Sequence, residues 1–245
     1  YLDADTKTSD ITINTIYGQK TVYAVVNGPD LSGITTQDAL EHTAVDLGAN
    51  STTTSKGFVM VGSNACNVSG TTATVSISVK RLVARVALQK ITNSLPDSYG
   101  SLTVNSVMLI NVAGNTSYDL TKAPATWYNV AKNNNELASL LYDAPASAIV
   151  NGQSYTPVHT FYGYPNDLSV NTTRLVIETT LGSTKYYYPI NLPAMESNKS
   201  YEIEEVKITR PGSDNPDEPV SFADASFSVN VIDWTVVPVT EGTTI

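Results

Sequence analysis

Reactive and metal-binding side chains are scarce in this sequence. Its 245 residues include one cysteine, Cys66, and two histidines, His42 and His159. A single cysteine excludes an internal disulfide framework and a multi-cysteine metal cluster. Neither histidine lies in a motif that gives an imidazole a catalytic or metal-binding role. We therefore expect Cys66 to be a small buried residue and the two histidines to have structural or surface roles. The local sequence gives no support to a Cys66–His159 dyad.

Charged residues are few, and the basic ones are the fewest. Lys and Arg number 14 against 23 Asp and Glu, which gives a net charge of −9. No block of Lys and Arg is present that could bind phosphates or anionic headgroups, so nucleic acid and the membrane surface are excluded as partners. No run approaches the roughly 20 apolar residues of a membrane span, and the N-terminus does not resemble a signal peptide. We expect no membrane insertion of this chain.

The composition is instead rich in apolar and neutral polar residues, which is typical of β-rich surface proteins. Hydrophobic residues make up 41% of the chain, and 14 residues are tyrosine. The length allows two domains or one large β-sandwich, and we favour two. Alternating or buried apolar patterns predict strands at 11–16, 21–26, 58–61, 72–79, 80–91, 102–110, 174–180, 184–192 and 201–208.

The apolar residues change parity near Leu82, and we place a domain boundary there. The predicted domains are 1–82 and 83–245. Helix is a minor component: one helix is predicted from a cap at Thr35 or Thr36 to a stop at Gly48, with Leu40, Ala44 and Leu47 on its inner face. A short second helix is predicted at 136–141. The predicted fold is mainly β, with two tandem antiparallel β-sandwich domains.

The last strand-forming segment, 225–237, is the main candidate for an interaction site. Its apolar residues alternate up to Val231 and then shift parity at Ile232, which predicts a β-bulge between these two residues. A strand so close to the end of the sequence is expected at the edge of a sheet. The sequence pattern does not say which sheet that is.

Other kinds of site are weaker candidates. A glycosidase needs two carboxylates at a controlled separation, and the sequence cannot select a pair. The acidic loop at 211–219 has oxygen ligands for calcium, but its prolines break any EF-hand spacing. Tyr186 and Tyr188 fall on one face of a predicted strand, where they could fill the core or, like Trp127, stack on a sugar. No catalytic, cofactor-binding or metal-binding residue is predicted, and the chain is not expected to be an enzyme.

Six stretches of the sequence form an ordered set: 18–27, 79–91, 187–190, 198–203, 209–219 and 229–236. Taken in order, they resemble the major fimbrillins of Bacteroidetes, the subunits of type V pili. The similarity covers nearly the whole chain in patches. Family members have more residues, including an early strand, before the segment that matches Gly18, where this chain has seventeen.

The resemblance implies two transthyretin-like β-sandwich domains, an N-terminal one that lacks its first strand or strands and a C-terminal one whose segment 220–245 carries a donor strand. It further implies export as a lipoprotein precursor, cleavage by an Arg-specific protease, and a place in the fimbrium at the outer membrane. Subunits would then polymerise head to tail by strand addition. The residues carried over for the polymerisation strand are Phe227, Val229, Val231, Ile232, Trp234 and Val236. Those of the interdomain strand are Arg81, Leu82, Ala84, Arg85, Val86 and Leu88.

Two functions remain open at this point. The first is a non-catalytic structural subunit of fimbriae that supports adhesion and biofilm formation, with other fimbrial subunits as partners. The second is a surface lipoprotein or fimbrial tip adhesin that binds a glycan or a host protein, for example through the tyrosine-bearing face.

Overall fold

The computed structural model describes residues 12–50, 57–130, 136, 138–218 and 224–234. The helical segments are α1 (Gln37–Glu41), α2 (Leu47–Asn50), α3 (Ala138–Leu141) and a 3-10 turn at Asp97–Tyr99. The strands are β1 (Gly18–Val26), β2 (Ala44–Asp46), β3 (Met60–Val68), β4 (Lys80–Arg81), β5 (Ala84–Leu88), β6 (Ile91–Asn93), β7 (Leu102–Ile110), β8 (Val112–Ala113), β9 (Asn115–Ser117), β10 (Trp127–Tyr128), β11 (Tyr142–Asp143), β12 (Ser147–Ile149), β13 (Ser154–Tyr155), β14 (His159–Gly163), β15 (Arg174–Leu181), β16 (Thr184–Asn191), β17 (Lys199–Ile203), β18 (Val206–Ile208), β19 (Ala225–Ser226) and β20 (Asn230–Asp233). The mainly-β prediction is confirmed. Within the described ranges, every helix is too short or too polar to cross a bilayer.

Two four-stranded sheets, ordered β14-β5-β17-β20 and β13-β6-β18-β19, lie end to end and meet at a crease. The same four stretches of chain supply neighbouring strands on both sides of the crease. Hydrogen bonds from the Gln89 amide to the Ile203 carbonyl (2.9 Å) and from the Val206 amide to the Lys90 carbonyl (2.9 Å) bridge it. The neighbours β5 and β17 run parallel, which the expectation of purely antiparallel sheets did not include. We call this layer the creased sheet.

An antiparallel sheet of β7, β15 and β16, with β11 and β12 on the outer side of β7, forms a second layer. Asn105 has no partner in the register between β7 and β15, so it is a bulge that changes the parity of β7. For this reason Leu102 and Val104 before the bulge, and Val107 and Leu109 after it, all join the main core. That core lies between the two layers. The β-sandwich is therefore built by burying the inner faces of these layers against each other.

A three-stranded sheet, ordered β1-β3-β4, gathers the first part of the chain. β1 and β3 pair in register over nine residues, yet neither strand contains a fully buried residue. Among the described residues before Leu82, the fully buried apolar ones are Val45, Leu47 and Val59, and all three lie outside β1 and β3. We call this layer the N-terminal sheet. Its strands β1 and β3 are fully paired by hydrogen bonds, but little of their apolar surface is buried.

Two predicted strands in this region are wrong. Residues 12–16 are exposed and form no strand, and Ile11 lies outside the described residues. Residues 72–79 lie beside β3 without a ladder of hydrogen bonds: the Asn64 amide group donates to the Ser76 carbonyl at 2.9 Å, and a Cβ on Gly62 would fall 2.1 Å from the Ser78 carbonyl oxygen. Alternation alone therefore did not establish a ladder.

The long helix predicted after Thr36 is also wrong in extent. Thr36 caps α1 by accepting a hydrogen bond from the Ala39 amide at 3.1 Å, but the helix ends at Glu41. Ala44–Asp46 then forms β2 and pairs with β9. A tertiary strand pairing replaces the local helical pattern here, because it satisfies the same backbone groups while Val45 enters the core.

Candidate functional site

We call residues 225–234 the terminal strand, and it lies along one edge of the creased sheet. β19 pairs with β18, and β20 pairs with β17, both antiparallel. The ladder is interrupted at 227–229, opposite the crease. Val231 and Ile232 instead have consecutive partners, Tyr201 and Ser200, so the bulge predicted between them is wrong.

Burial along the terminal strand is uneven. Phe227, Val229 and Trp234 pack against the main core, and Ala225 is fully buried. Val231 and Ile232 are 48% and 52% exposed. The predicted polymerisation residues thus divide into three that face inward and two that face solvent, and Val236 lies outside the described residues. An edge strand with two exposed apolar side chains is a surface that can pair with another chain.

Trp234, directly after β20, is held by an arginine from β4. The Arg81 guanidinium lies 4.3 Å from the centroid of the indole ring, and its Nη1 donates to the Trp234 carbonyl at 3.3 Å. Tyr162 stacks on the same indole, with ring centroids 5.7 Å apart, and Phe58 meets it edge-on at 6.0 Å. A cation over an indole face and an aromatic neighbour at its edge are both favourable contacts. We call these four residues the Trp234 clasp.

Asn198 joins the clasp to the sheet. Its carbonyl accepts from the Trp234 amide at 3.0 Å, and its amide donates to the Val83 carbonyl at 3.0 Å. Its side-chain oxygen accepts from Arg81 Nη1 at 3.2 Å. Asn198 adopts a left-handed backbone (φ 57°), which asparagine tolerates better than most residues. A single residue thereby connects the start of β17, the interdomain segment and the end of the terminal strand.

The interdomain residues are mostly core. Leu82, Ala84, Val86 and Leu88 are at most 3% exposed, but Val83 and Ala87, which have the other parity, are buried as well. The two arginines remain at the margin of this core. Arg85 pairs with Glu202 and donates to Ser200 Oγ at 2.9 Å. Burial lowers the pKa of the Arg81 guanidinium. This stretch therefore anchors β17, the strand on which the terminal strand lies.

An exposed ion pair lies across the end of the same ladder. Lys199 Nζ is 2.7 Å from Asp233 Oδ1, and the hydrogen bond raises the pKa of Lys199 and lowers the pKa of Asp233. An exposed pair of this kind adds little to stability. Both residues, with Lys80, Glu196 and Met195, line an open groove of about 660 Å³. The groove carries charges of both signs.

The tyrosine-bearing face is part of the core. Tyr188 is fully buried, its hydroxyl donates to the Arg210 carbonyl at 2.8 Å, and burial raises its pKa. Tyr186 and Trp127 are half-buried and pack against the main core. Tyr187 is buried on the opposite face of β16. The structure supports core packing for this face rather than a sugar-stacking platform.

The histidines, the cysteine and the acidic loop have structural partners. His159 is 3% exposed and its Nδ1 lies 2.7 Å from Asp143 Oδ2, whereas Cys66 is half-buried on β3 opposite Lys20. His42 lies at the end of α1, where its Nδ1 is 2.9 Å from the Asp38 carbonyl. The 211–219 loop bonds to β16 through Ser213 and Tyr187. Over the described part of the chain, no three His, Cys, Asp or Glu side chains gather as metal ligands would.

Sequence reasoning found Trp234 and Arg81 but did not bring them together. It missed Phe58, Tyr162 and Asn198 as parts of one site. Phe58 begins a predicted strand and Tyr162 lies in an aromatic-rich stretch, so each signal was present separately. Their meeting depends on the three-dimensional approach of β4, β14 and the end of β20, which no local pattern encodes.

Comparison with known proteins supports this fold. No protein-family model matches the chain, and no curated protein is similar to it. A candidate cell adhesion protein of Bacteroides eggerthii DSM 20697 has a similar structure, with a TM-score of 0.71 and 22% identity over 87% of this chain and 77% of that one. Two candidate cell adhesion proteins of Parabacteroides distasonis ATCC 8503 are each 17% identical. One has a TM-score of 0.59 over 89% of this chain and 84% of that chain, and the other 0.60 over 91% and 78%. At these identities the similarity establishes a shared fold.

Proposed function

We propose that this chain is a non-catalytic structural subunit of a cell-surface fimbria and that its terminal strand is an assembly element. The observation that carries the proposal is the pair of exposed apolar side chains, Val231 and Ile232, on an edge strand. The proposed activity is strand addition, in which backbone hydrogen bonds give affinity and alternate side chains give register.

The terminal strand has the chemistry that this role needs. It is a short strand at the edge of its sheet, and it carries two apolar side chains that are largely unburied. The predicted polymerisation strand carries six apolar side chains. Full burial of all six, at about 1.5 to 3 kcal/mol each, would give on the order of 10 kcal/mol before ordering costs. Within the subunit, Phe227, Val229 and Trp234 are the members of this set that pack against the core. A partner that also covered Val231 and Ile232 would therefore add binding energy.

The N-terminal sheet has the properties expected of an acceptor. β1 and β3 lack a fully buried residue although they pair over their whole length. A sheet of this kind is stabilised when another strand or chain covers it, because burial supplies what pairing alone does not. The proposal keeps a division into an N-terminal unit, 1–82, and a C-terminal unit, 83–245, with the first as acceptor and the second as donor.

The solved structures support a surface role for the proposal. Three proteins that share the fold are described as candidate cell adhesion proteins. This favours a place at the cell surface. The lipoprotein precursor, its cleavage by an Arg-specific protease and the other fimbrial subunits as partners enter the proposal from the sequence resemblance alone.

The test uses exposed valines as matched controls. The precursor carrying Val231→Ser and Ile232→Ser is treated with an Arg-specific protease and imaged by electron microscopy beside the wild type. We expect the wild type to form fibres and the double variant to form far fewer. A control carrying Val150→Ser and Val158→Ser, which are 61% and 57% exposed elsewhere, should assemble normally. Fibres of wild-type yield from the Val231/Ile232 variant would contradict the proposal.

A second candidate, an adhesin that binds a glycan or a host protein, is favoured by the descriptions of the same structural relatives. Since the tyrosine-bearing face is core, the binding surface would have to lie elsewhere. Glycan binding by a protein that forms no fibres after proteolysis would favour this candidate.

A further inference from the structure

We propose that the Trp234 clasp retains the terminal strand in its own subunit and so limits the rate at which that strand can pair with another. This inference rests on the proposed function, since it concerns how the assembly strand becomes available. Its key residue is Arg81, which touches the terminal strand although it belongs to the N-terminal sheet.

Without the clasp, few contacts would hold the last part of the terminal strand, β20, because the buried or core-packed residues Ala225, Phe227 and Val229 all precede it. β20 has four residues, and all four side chains are exposed. Its Lys199–Asp233 ion pair is at the surface, where such pairs contribute little. The ladder is also interrupted before it, at 227–229. Opening of β20 from its C-terminal end therefore depends mainly on the contacts of Trp234.

Those contacts are several and they converge. Trp234 has a cation over its ring, two aromatic neighbours, a backbone donor bond to Asn198 and a backbone acceptor bond from Arg81. The Arg81 guanidinium binds the indole face, the Trp234 carbonyl and the Asn198 side chain together. A single nitrogen, Arg81 Nη1, makes both hydrogen bonds while the guanidinium carbon lies 4.3 Å from the centroid of the indole ring.

The clasp also connects the terminal strand to the N-terminal sheet. Arg81 lies on β4, which pairs with β3 through Met60 and Val61. Phe58 comes two residues before β3, and the neighbouring Val59 carbonyl accepts a hydrogen bond from the Leu82 amide at 3.1 Å. Any rearrangement of the N-terminal sheet that shifts β3 or β4 would shift two of the three groups that hold Trp234. Release of the strand would then follow a change in the N-terminal sheet.

Hydrogen exchange of the Trp234 amide in the full-length monomer tests the clasp without any assembly. In Arg81→Met we expect this amide to exchange about tenfold faster, since a desolvated cation–π contact and charged hydrogen bonds are lost. Phe58→Leu should also increase the exchange rate of the Trp234 amide. The Gln89 amide, which bridges the crease inside the sheet, serves as the reference and should change by less than about twofold.

The matched control is Arg174→Met. Arg174 is also a largely buried arginine, and its Nε donates to Asn191 Oδ1 at 2.7 Å in the other layer. It should leave the Trp234 amide unchanged. Unchanged exchange in Arg81→Met, or equal acceleration of the Gln89 and Trp234 amides, would overturn the clasp.

A cross-strand disulfide separates failure of the clasp from failure of the proposed function. Lys199→Cys with Asp233→Cys, in a Cys66→Ser background, places thiols on directly opposed residues of an antiparallel pair. We expect no fibres from the oxidised protein and fibres from the same protein after reduction. We also expect faster assembly of Arg81→Met than of wild type. Fibres from the oxidised protein would contradict the proposed function. Fibres that need reduction but form at the same rate in Arg81→Met would contradict the clasp alone.

Discussion

β1 and β7 are both nine-residue strands in antiparallel sheets, yet they differ in what covers them. Seven residues of β7 are buried, and none of β1 is. Hydrogen-bond pairing is continuous in both, in β1 across its full register with β3 and in β7 around a bulge. Pairing therefore does not distinguish the two sheets, whereas burial does.

This difference in burial indicates which sheet is the more stable and which is the more easily opened for binding another chain. The net contribution of a backbone hydrogen bond is small, and burial of apolar surface stabilises the folded chain more. The sheet containing β7 is thus expected to be the last to open, and the N-terminal sheet among the first. A surface that must accept another chain is better placed in a sheet that opens early, such as the N-terminal sheet.

Truncating equivalent valines should give the largest contrast. Val107 is fully buried in the middle of β7, while Val22 is half-buried in the middle of β1. Val107→Ala should lower the free energy of unfolding by about 1.5 to 3 kcal/mol, because it removes buried methyl groups and leaves a cavity. Val22→Ala should cost under about 1 kcal/mol, because less apolar surface is buried there. Urea denaturation of both variants measures the contrast, and equal losses would show that the N-terminal sheet has a core of its own.

Gly62→Ala should affect the N-terminal sheet selectively. A Cβ at this position would lie 2.1 Å from the Ser78 carbonyl oxygen, so residues 77–78 must move away from β3. We expect a local cost of about 1 to 2 kcal/mol, typical of overpacking. Hydrogen exchange should then rise in β1 and β3 but not in β15. Acceleration of β15 to the same extent would mean that the two sheets open together.

Thr36→Ala tests the helix beside β1 and should have a smaller effect. Thr36 accepts the hydrogen bond from the Ala39 amide, and α1 carries Gln37, whose side chain donates to the Tyr23 hydroxyl at 2.9 Å. Loss of the cap should cost about 0.5 to 1 kcal/mol. The exchange rate of the α1 amides reports it. Thr35→Ala, one residue outside the cap, is the control and should be nearly neutral.

The smallest predicted effect depends on pH and concerns Asp119, which follows β9. Burial raises the pKa of its carboxyl, but hydrogen bonds from Ser117 and Thr121 outweigh burial and lower the pKa to about 2. A depressed pKa contributes stability above the unfolded value near 3.8, and this is lost as the pH falls towards 2. Asp119→Asn should therefore be less stable than wild type at about pH 6 and nearly equal at about pH 2. A difference that stays constant over this range would contradict the depressed pKa.

Sequence patterns predicted the elements of the well-covered layer best. The strands expected at 102–110, 174–180 and 184–192 overlap β7, β15 and β16 closely. Here local propensity and burial agree, so the pattern is informative. On β16, however, both Tyr187 and Tyr188 are buried, on opposite faces. The alternation of Tyr186 and Tyr188 identified the face of β16 that packs against the main core, but it did not indicate that the face carrying Tyr187 is covered as well.

Predictions were weakest where a distant partner decides the structure. β2 forms because 115–117 is available to pair with it, which a helical pattern at 36–48 cannot indicate. The parity shift at Val231 and Ile232 predicted a bulge because both residues were assumed to be buried in turn. They are both exposed, and the real interruption at 227–229 is set by the crease in the neighbouring strands. The Trp234 clasp depends on three such approaches and was not predictable as a unit.

The crease sets a rule for any strand that pairs along this edge. The interruptions at 89–90, 204–205 and 227–229 lie at the same level, and each strand resumes its ladder beyond them. A strand shifted by one residue would carry its own break away from that level and turn its side chains to the wrong face. A strand can therefore pair along this edge only if its two paired halves are separated by the right number of residues. The crease selects the register of the strand by this spacing, in addition to the selection by side chains.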